Sequence, residues 1–222
     1  MNKKITVRLT EQQLSNLISN SIFNTDKGDL LKNMLGQLLN KKKSSEVSTI
    51  GGLDLNTKDG YNAYKEICNK FIATRPSNLL DINGEMLASA AKKTLASTGK
   101  LVPPELALAQ LAAEGGFSNN PNARPIRTKN PFNVGNVDMG KNVSHGSVES
   151  GIQAYYDLIA RKYLSGGKTA EDLMKNFTNT SGQRYASGKD YEGMVSKIAT
   201  QVKNISQPIY AALNKGDNSN LV

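Results

Sequence analysis

Tryptophan is absent from the 222 residues, and cysteine and histidine occur once each, as Cys68 and His145. One cysteine excludes a disulfide framework within the chain, and Cys68 falls in an apolar helical pattern that a small buried hydrophobe fits. One histidine leaves a Ser/His or Cys/His triad little to draw on. The clustered ligands of a metal site are missing too, so neither metal nor cofactor is expected. No apolar run is long enough to span a bilayer, and MNKKITVRLTEQQ lacks the apolar core of an export signal. Gly166-Gly167-Lys168 does not have the spacing of a phosphate-binding loop. Negative charge is in short supply: 28 Lys and Arg against 19 Asp and Glu leave a formal net charge of +9. That balance favours an anionic partner such as nucleic acid, a membrane surface or a bacterial cell wall. Apart from Lys41-Lys42-Lys43 the basic residues are scattered and not interleaved with aromatics, so no specific nucleic-acid interface is expected.

What is present is helical periodicity. Thr10 with Gln13 reads as a capping box, with Leu9 and Leu14 as its staple. Leu14, Leu17, Ile18 and Ile22 then form one stripe, and Leu30, Leu31, Met34, Leu35, Leu38 and Leu39 a second. Two short amphipathic helices cannot bury both stripes alone. Residues 1–45 are therefore expected to be an anchoring or assembly segment, followed by a linker over 46–54, one mainly α domain over 55–210 and a mobile tail over 211–222. Within the domain the pattern predicts helices over 59–74 and 81–97, a third ending at Glu114, and a fourth capped by Ser147. A short helix capped by Thr169 with Asp172 follows. The last helix carries Tyr191, Val195, Ile198, Val202 and Ile205, with Pro208 closing it. Residues 118–129 and 181–189 read as loops, and 130–147 as a small irregular or β lobe.

The stretch Val102–Val137 organises the rest. Pro103 and Pro104 suit the start of a helix. Leu106, Ala107, Leu108, Ala109, Leu111, Ala112 and Ala113 leave no polar face, so that helix must be buried. It ends at Glu114, before Gly115 and Gly116. A carboxylate there opposes the helix dipole, and apolar neighbours disfavour its charge, so both effects push its pKa upward. A carboxylic acid kept protonated near neutrality is what a glycosidase needs to protonate a leaving sugar oxygen.

Three elements, Ala109-Gln110-Leu111-Ala112-Ala113-Glu114, then Phe117, then Asn130-Pro131-Phe132-Asn133-Val134-Gly135, resemble the lysozyme-like glucosaminidases, which include flagellar and autolysin-type peptidoglycan hydrolases. Glu114-Gly115-Gly116-Phe117-Ser118 stands where that family usually has Glu-Ser-Gly-Trp-Gly. Gln183-Arg184-Tyr185-Ala186-Ser187, followed by Tyr191, is similar to the family's Tyr-Ala-Thr-Asp-x-x-Tyr stretch. The resemblance covers roughly residues 55–205. It implies a lysozyme-like helical domain that cleaves glycan strands of peptidoglycan as an endo-N-acetylglucosaminidase or a lytic transglycosylase. By the same resemblance Glu114 is the general acid and Tyr185 sits beside it in the cleft, while Phe117, Asn130, Phe132 and Asn133 form substrate-binding wall. Tyr191, which starts the stripe of the last helix, is assigned to the core. Asp138 and Glu149 are the candidates for a second carboxylate, and neither is placed in the catalytic set. With no export signal expected, such an enzyme reaches the wall from a virus particle or from host cytoplasm on lysis. Residues 1–45 would then bind other virion or secretion-apparatus proteins. The alternative is a non-catalytic structural or wall-binding module of a virus particle.

Overall fold

The structure, a computed structural model, describes residues 53–136 and 142–216. The expected assembly segment over 1–45, most of the linker, Asp138 and the last residues of the tail lie outside the described residues. The elements in order are α1 (Lys58–Ile72), α2 (Gly84–Thr98), α3 (Pro104–Ala113), a one-turn α4 (Arg124–Arg127) and α5 (Val148–Leu158), which runs on into a π-helical turn (Ile159–Tyr163). Then come α6 (Ala170–Lys175) and the long α7 (Tyr191–Gly216). The described residues are mainly α and contain no strand, and an isolated antiparallel bridge joins Thr178 and Arg184. The described parts of the expected irregular or β lobe, 130–136 and 142–147, are irregular.

Local chemistry accounts for most helix starts. Thr57 Oγ1 accepts from the Gly60 N–H and Asn83 Oδ1 from the Met86 N–H. Ser147 with Ser150 and Thr169 with Asp172 form reciprocal capping boxes. The second helix begins at Gly84, later than expected, because Asn83 rather than Asp81 is the cap, and Asp81 is held at φ +51° in the turn before it.

Every residue of α3 from Pro104 to Leu111 is buried, as a helix without a polar face requires. It packs chiefly along α7 and also against α1, while α5 packs on α2. Most buried polar groups in this core are partnered, Glu105 Oε2 being an exception. The Tyr64 hydroxyl donates to the Val102 carbonyl at 3.0 Å, so the Tyr156 hydroxyl, 2.8 Å away, donates to Tyr64.

Two boundaries differ from the sequence expectation. Leu53, placed in the linker, is fully buried beside Leu55, so the packed domain already includes it. Pro208 does not close the last helix, which continues to Gly216. The hydrogen bond that Pro208 cannot make falls on the exposed side, opposite Asn204, while Ile209 and Tyr210 beyond it dock on the core. That docking outweighs the roughly 3 kcal/mol that an interior proline costs a helix.

Candidate active site

The end of α3 is fixed by its own backbone. Gly115 N–H bonds the Ala112 carbonyl at 3.2 Å and Gly116 N–H bonds the Leu111 carbonyl at 2.9 Å, with Gly115 at φ +80°. This is a Schellman closure, and it makes Glu114 the C-cap. The side chain of Glu114 therefore leaves a rigid, buried helix at a point that cannot fray.

Two irregular segments meet it there. The first, residues 128–136, is held against α5 at Gly151, where a Cβ would lie 2.2 Å from the Lys129 carbonyl oxygen. Asn130 is fully buried and acts as a strut: its Nδ2 donates to the Val134 and Val143 carbonyls and its Oδ1 accepts from Val134 N–H. This brings Asn133 to Glu114. Asn133 Nδ2 donates to the Glu114 carbonyl at 2.9 Å and to its Oε2 at 3.2 Å. Asn133 sits at φ +52°, a left-handed conformation that asparagine tolerates better than most residues. Its Oδ1 accepts from Arg124 Nε and Asn136 Nδ2, both at 3.2 Å.

The second segment, residues 177–188, turns back on itself through bonds from Tyr185 N–H to the Phe177 carbonyl and from Asn179 N–H to the Gln183 carbonyl. The Arg184–Glu192 ion pair, 2.7 Å, ties it to the first turn of α7. Tyr185 is half-buried, and its hydroxyl donates to the Phe132 carbonyl at 2.8 Å. Its ring stacks on Tyr191 with centroids 5.9 Å apart.

Between these segments runs a groove of about 740 Å³, whose lining includes Glu114, Arg124, Asn133, Asn136, Tyr163, Arg184 and Tyr185. Glu114 has no ion-pair partner among the described residues. Burial pushes its carboxyl above the usual carboxylate range; the hydrogen bonds from Tyr191 and Asn133, and the charge of Arg124, pull against that without cancelling it. Burial, with the neighbouring charge of Glu114, pushes the Tyr185 and Tyr191 hydroxyls well up, so both remain proton donors.

The structure brings Glu114, Asn133 and Tyr185 together in the groove. It puts Phe117, Asn130 and Phe132 elsewhere. Phe117 packs edge-on to Phe71, with centroids 6.3 Å apart. Phe132 is fully buried and stacks on Tyr155 at 3.7 Å, which leaves it no face for a sugar. Tyr191 carries more than the core role assigned to it. Its ring is buried, but its hydroxyl donates to Glu114 Oε1 at 2.7 Å and accepts from Gln110 Nε2 at 2.9 Å. The one clue to this in the sequence was Gln110 itself, a polar residue one turn before Glu114 in a helix that is apolar from Leu106 to Ala113 apart from it. Glu149 is exposed in the first turn of α5, where its own backbone N–H and Ser147 hold its carboxyl below the usual range. That is ordinary helix-start chemistry.

No known protein family, curated protein or solved structure matches the chain. The function has to be read from the groove. Among the described residues no cluster of His, Cys, Asp or Glu is placed to hold a metal ion, and no helix is long and apolar enough to cross a membrane.

Proposed function

We propose that this protein is a lysozyme-like peptidoglycan hydrolase of the N-acetylglucosaminidase type, with Glu114 as general acid. The observation that carries the reading is a carboxyl group in the wall of a groove, fixed at the end of a buried helix, with its pKa raised by burial and no cation paired to it. A glycan strand lying in the groove would present its glycosidic oxygen to Glu114. The carboxyl proton passes to that oxygen as the bond to the anomeric carbon breaks, and the leaving sugar departs as an alcohol. A water then adds to the anomeric carbon and returns a proton to the Glu114 carboxylate. In the transglycosylase variant the sugar's own hydroxyl closes the ring instead, giving an anhydro product. Asn133 holds the acid in place, and Tyr185, whose hydroxyl is committed to Phe132, offers the groove an aromatic edge rather than a proton.

The basic balance of the chain suits an anionic wall. The setting that goes with this reading is a virus particle or host lysis, with residues 1–45 binding other virion or secretion-apparatus proteins. A non-catalytic wall-binding module is the competing reading. On its side is the fact that Glu114 is the only carboxylate among the groove-lining described residues. Purified bacterial sacculi incubated with the protein separate the two. Soluble fragments whose reducing or anhydro ends are identified by mass spectrometry support the enzyme and name the bond cut; binding to sacculi with no release of fragments supports the module.

A further inference from the structure

Behind Glu114 a row of hydrogen bonds runs in one direction, from the core toward the acid. Gln110 lies one turn before Glu114 on α3 and has no exposed surface. Its Oε1 accepts from the Tyr155 hydroxyl at 2.5 Å, and its Nε2 donates to the Tyr191 hydroxyl at 2.9 Å. A phenol carries a single proton. With its oxygen already accepting from the amide, Tyr191 turns that proton to Glu114 Oε1, 2.7 Å away.

The two oxygens of Glu114 are thereby made unequal. Oε1 faces Tyr191, which does not line the groove, whereas Oε2 faces Asn133, which does. If Tyr191 were free to turn its proton back toward residue 110, the acidic proton of Glu114 could sit on Oε1 and donate to Tyr191. It would then point into the core, out of reach of a sugar oxygen. We infer that Gln110 is a positioning residue that keeps the proton of Glu114 on Oε2, the oxygen on the groove side. This rests on the general-acid reading above. Tyr155 belongs to the same device, because its hydroxyl fixes which end of the Gln110 amide faces Tyr191. The other groups facing Glu114 are Arg124 and Asn133 from the 124–136 segment and Tyr185 from the 177–188 segment. None of them is hydrogen-bonded to Gln110, whose side-chain partners are Tyr155 and Tyr191.

The test uses the full chain with Gln110→Met, which keeps length and removes both polar ends, and Tyr155→Phe, which keeps the stack on Phe132 and frees the amide to turn over. In both, the protonated form of Glu114 gains Tyr191 as an acceptor. Turnover of soluble wall fragments should fall roughly three- to tenfold, the worth of one neutral hydrogen bond, with KM little changed. The alkaline limb of the activity profile should move to higher pH. Titration of the Glu114 carboxyl by carbon-13 NMR, assigned by its loss in Glu114→Gln, should move the same way, and this readout needs no activity. Should Gln110→Met not fold, Tyr155→Phe carries the test. A Glu114 titration unmoved in the folded variants overturns the inference, whatever happens to turnover. Absence of wall cleavage by the unmodified protein, with the titration moved, discards the general-acid reading and leaves the network standing.

Discussion

Replacing Glu114 by glutamine perturbs the proton and the hydrogen-bond polarity together. The carboxylate accepts at both oxygens, from Tyr191 at 2.7 Å and from Asn133 at 3.2 Å. Glutamine offers one accepting oxygen and an N–H₂ group. With its oxygen toward Tyr191, its amide nitrogen confronts Asn133 Nδ2 and that bond is lost; the 2.9 Å bond from Asn133 to the backbone carbonyl of residue 114 does not depend on the side chain. One neutral hydrogen bond is worth about 0.5–1.5 kcal/mol net, or about 1–6 °C in Tm for a chain of this size.

The pH dependence has a definite sign. Burial raises the folded-state pKa of Glu114 above its ordinary 4.5. Between the two values the folded state binds more protons than the unfolded one, so the stability contributed by Glu114 is complete in acid and is lost as the pH rises through the folded pKa. The lead of the unmodified protein over Glu114→Gln should therefore be largest near about pH 4 and shrink by about pH 8, measured by thermal melts at both. Clearing of purified sacculi should drop by about 10²–10⁴-fold, the usual contribution of a positioned general acid. Near-normal clearing by the folded variant removes Glu114 as the acid. A lead that stays flat or grows with pH refutes the argument from burial.

Three further outcomes follow from the same geometry. Tyr191→Phe strips Gln110 Nε2 of its buried acceptor and Glu114 of a donor. Denaturant melts should show a loss of about 1–3 kcal/mol, and the alkaline limb of activity should move up because the ionised acid has lost a bond that favoured it. Phe132→Ala should cost about 3–5 kcal/mol as a buried, stacked side chain, with KM for wall fragments unchanged in whatever remains folded; a raised KM without loss of stability would put Phe132 in the groove after all. Glu105 lies at the opposite end of α3 and accepts from the Ser206 and Tyr210 hydroxyls at 2.5 and 2.9 Å. Glu105→Ala should lower stability by about 1–3 kcal/mol and leave kcat intact, which kinetics on the folded fraction can check.

How much of this was legible depends on how local the deciding chemistry is. The caps at Ser147 and Thr169 act within four residues, so the sequence showed them, although the Ser150 half of the first box came only with the structure. The burial of α3 was legible because no rotation of that helix presents a polar face. Glu114 was legible because a carboxylate in such a setting has no stabilising excuse. Phe132 and Asn130 were not, because an irregular segment has no periodicity from which to tell an inward side chain from an outward one. Pro208 misled because a proline's cost is local, whereas the docking of Ile209 and Tyr210 that offsets it is not. Tyr191 was half legible. Its ring follows the helical stripe and belongs to the core, but its hydroxyl meets a carboxyl 77 residues away in sequence, and no pattern within one helix reports that.

The groove itself is joined by side chain to main-chain bonds, and this decides how it responds to change. Tyr185 donates to the Phe132 carbonyl, and Asn133, the next residue, donates to the Glu114 carbonyl. The 177–188 segment, the 128–136 segment and the end of α3 are thus clasped in sequence, each through a backbone oxygen that substitution of its own side chain does not remove. The acid stands at the rigid end of that series, on a helix buried along most of its length. A shift of the 177–188 segment would reach Glu114 by two routes, through Phe132 and Asn133 and through the stack of Tyr185 on Tyr191, and Phe132 is anchored by its stack on Tyr155. The aromatic expected to hold sugar instead holds the loop that holds the acid.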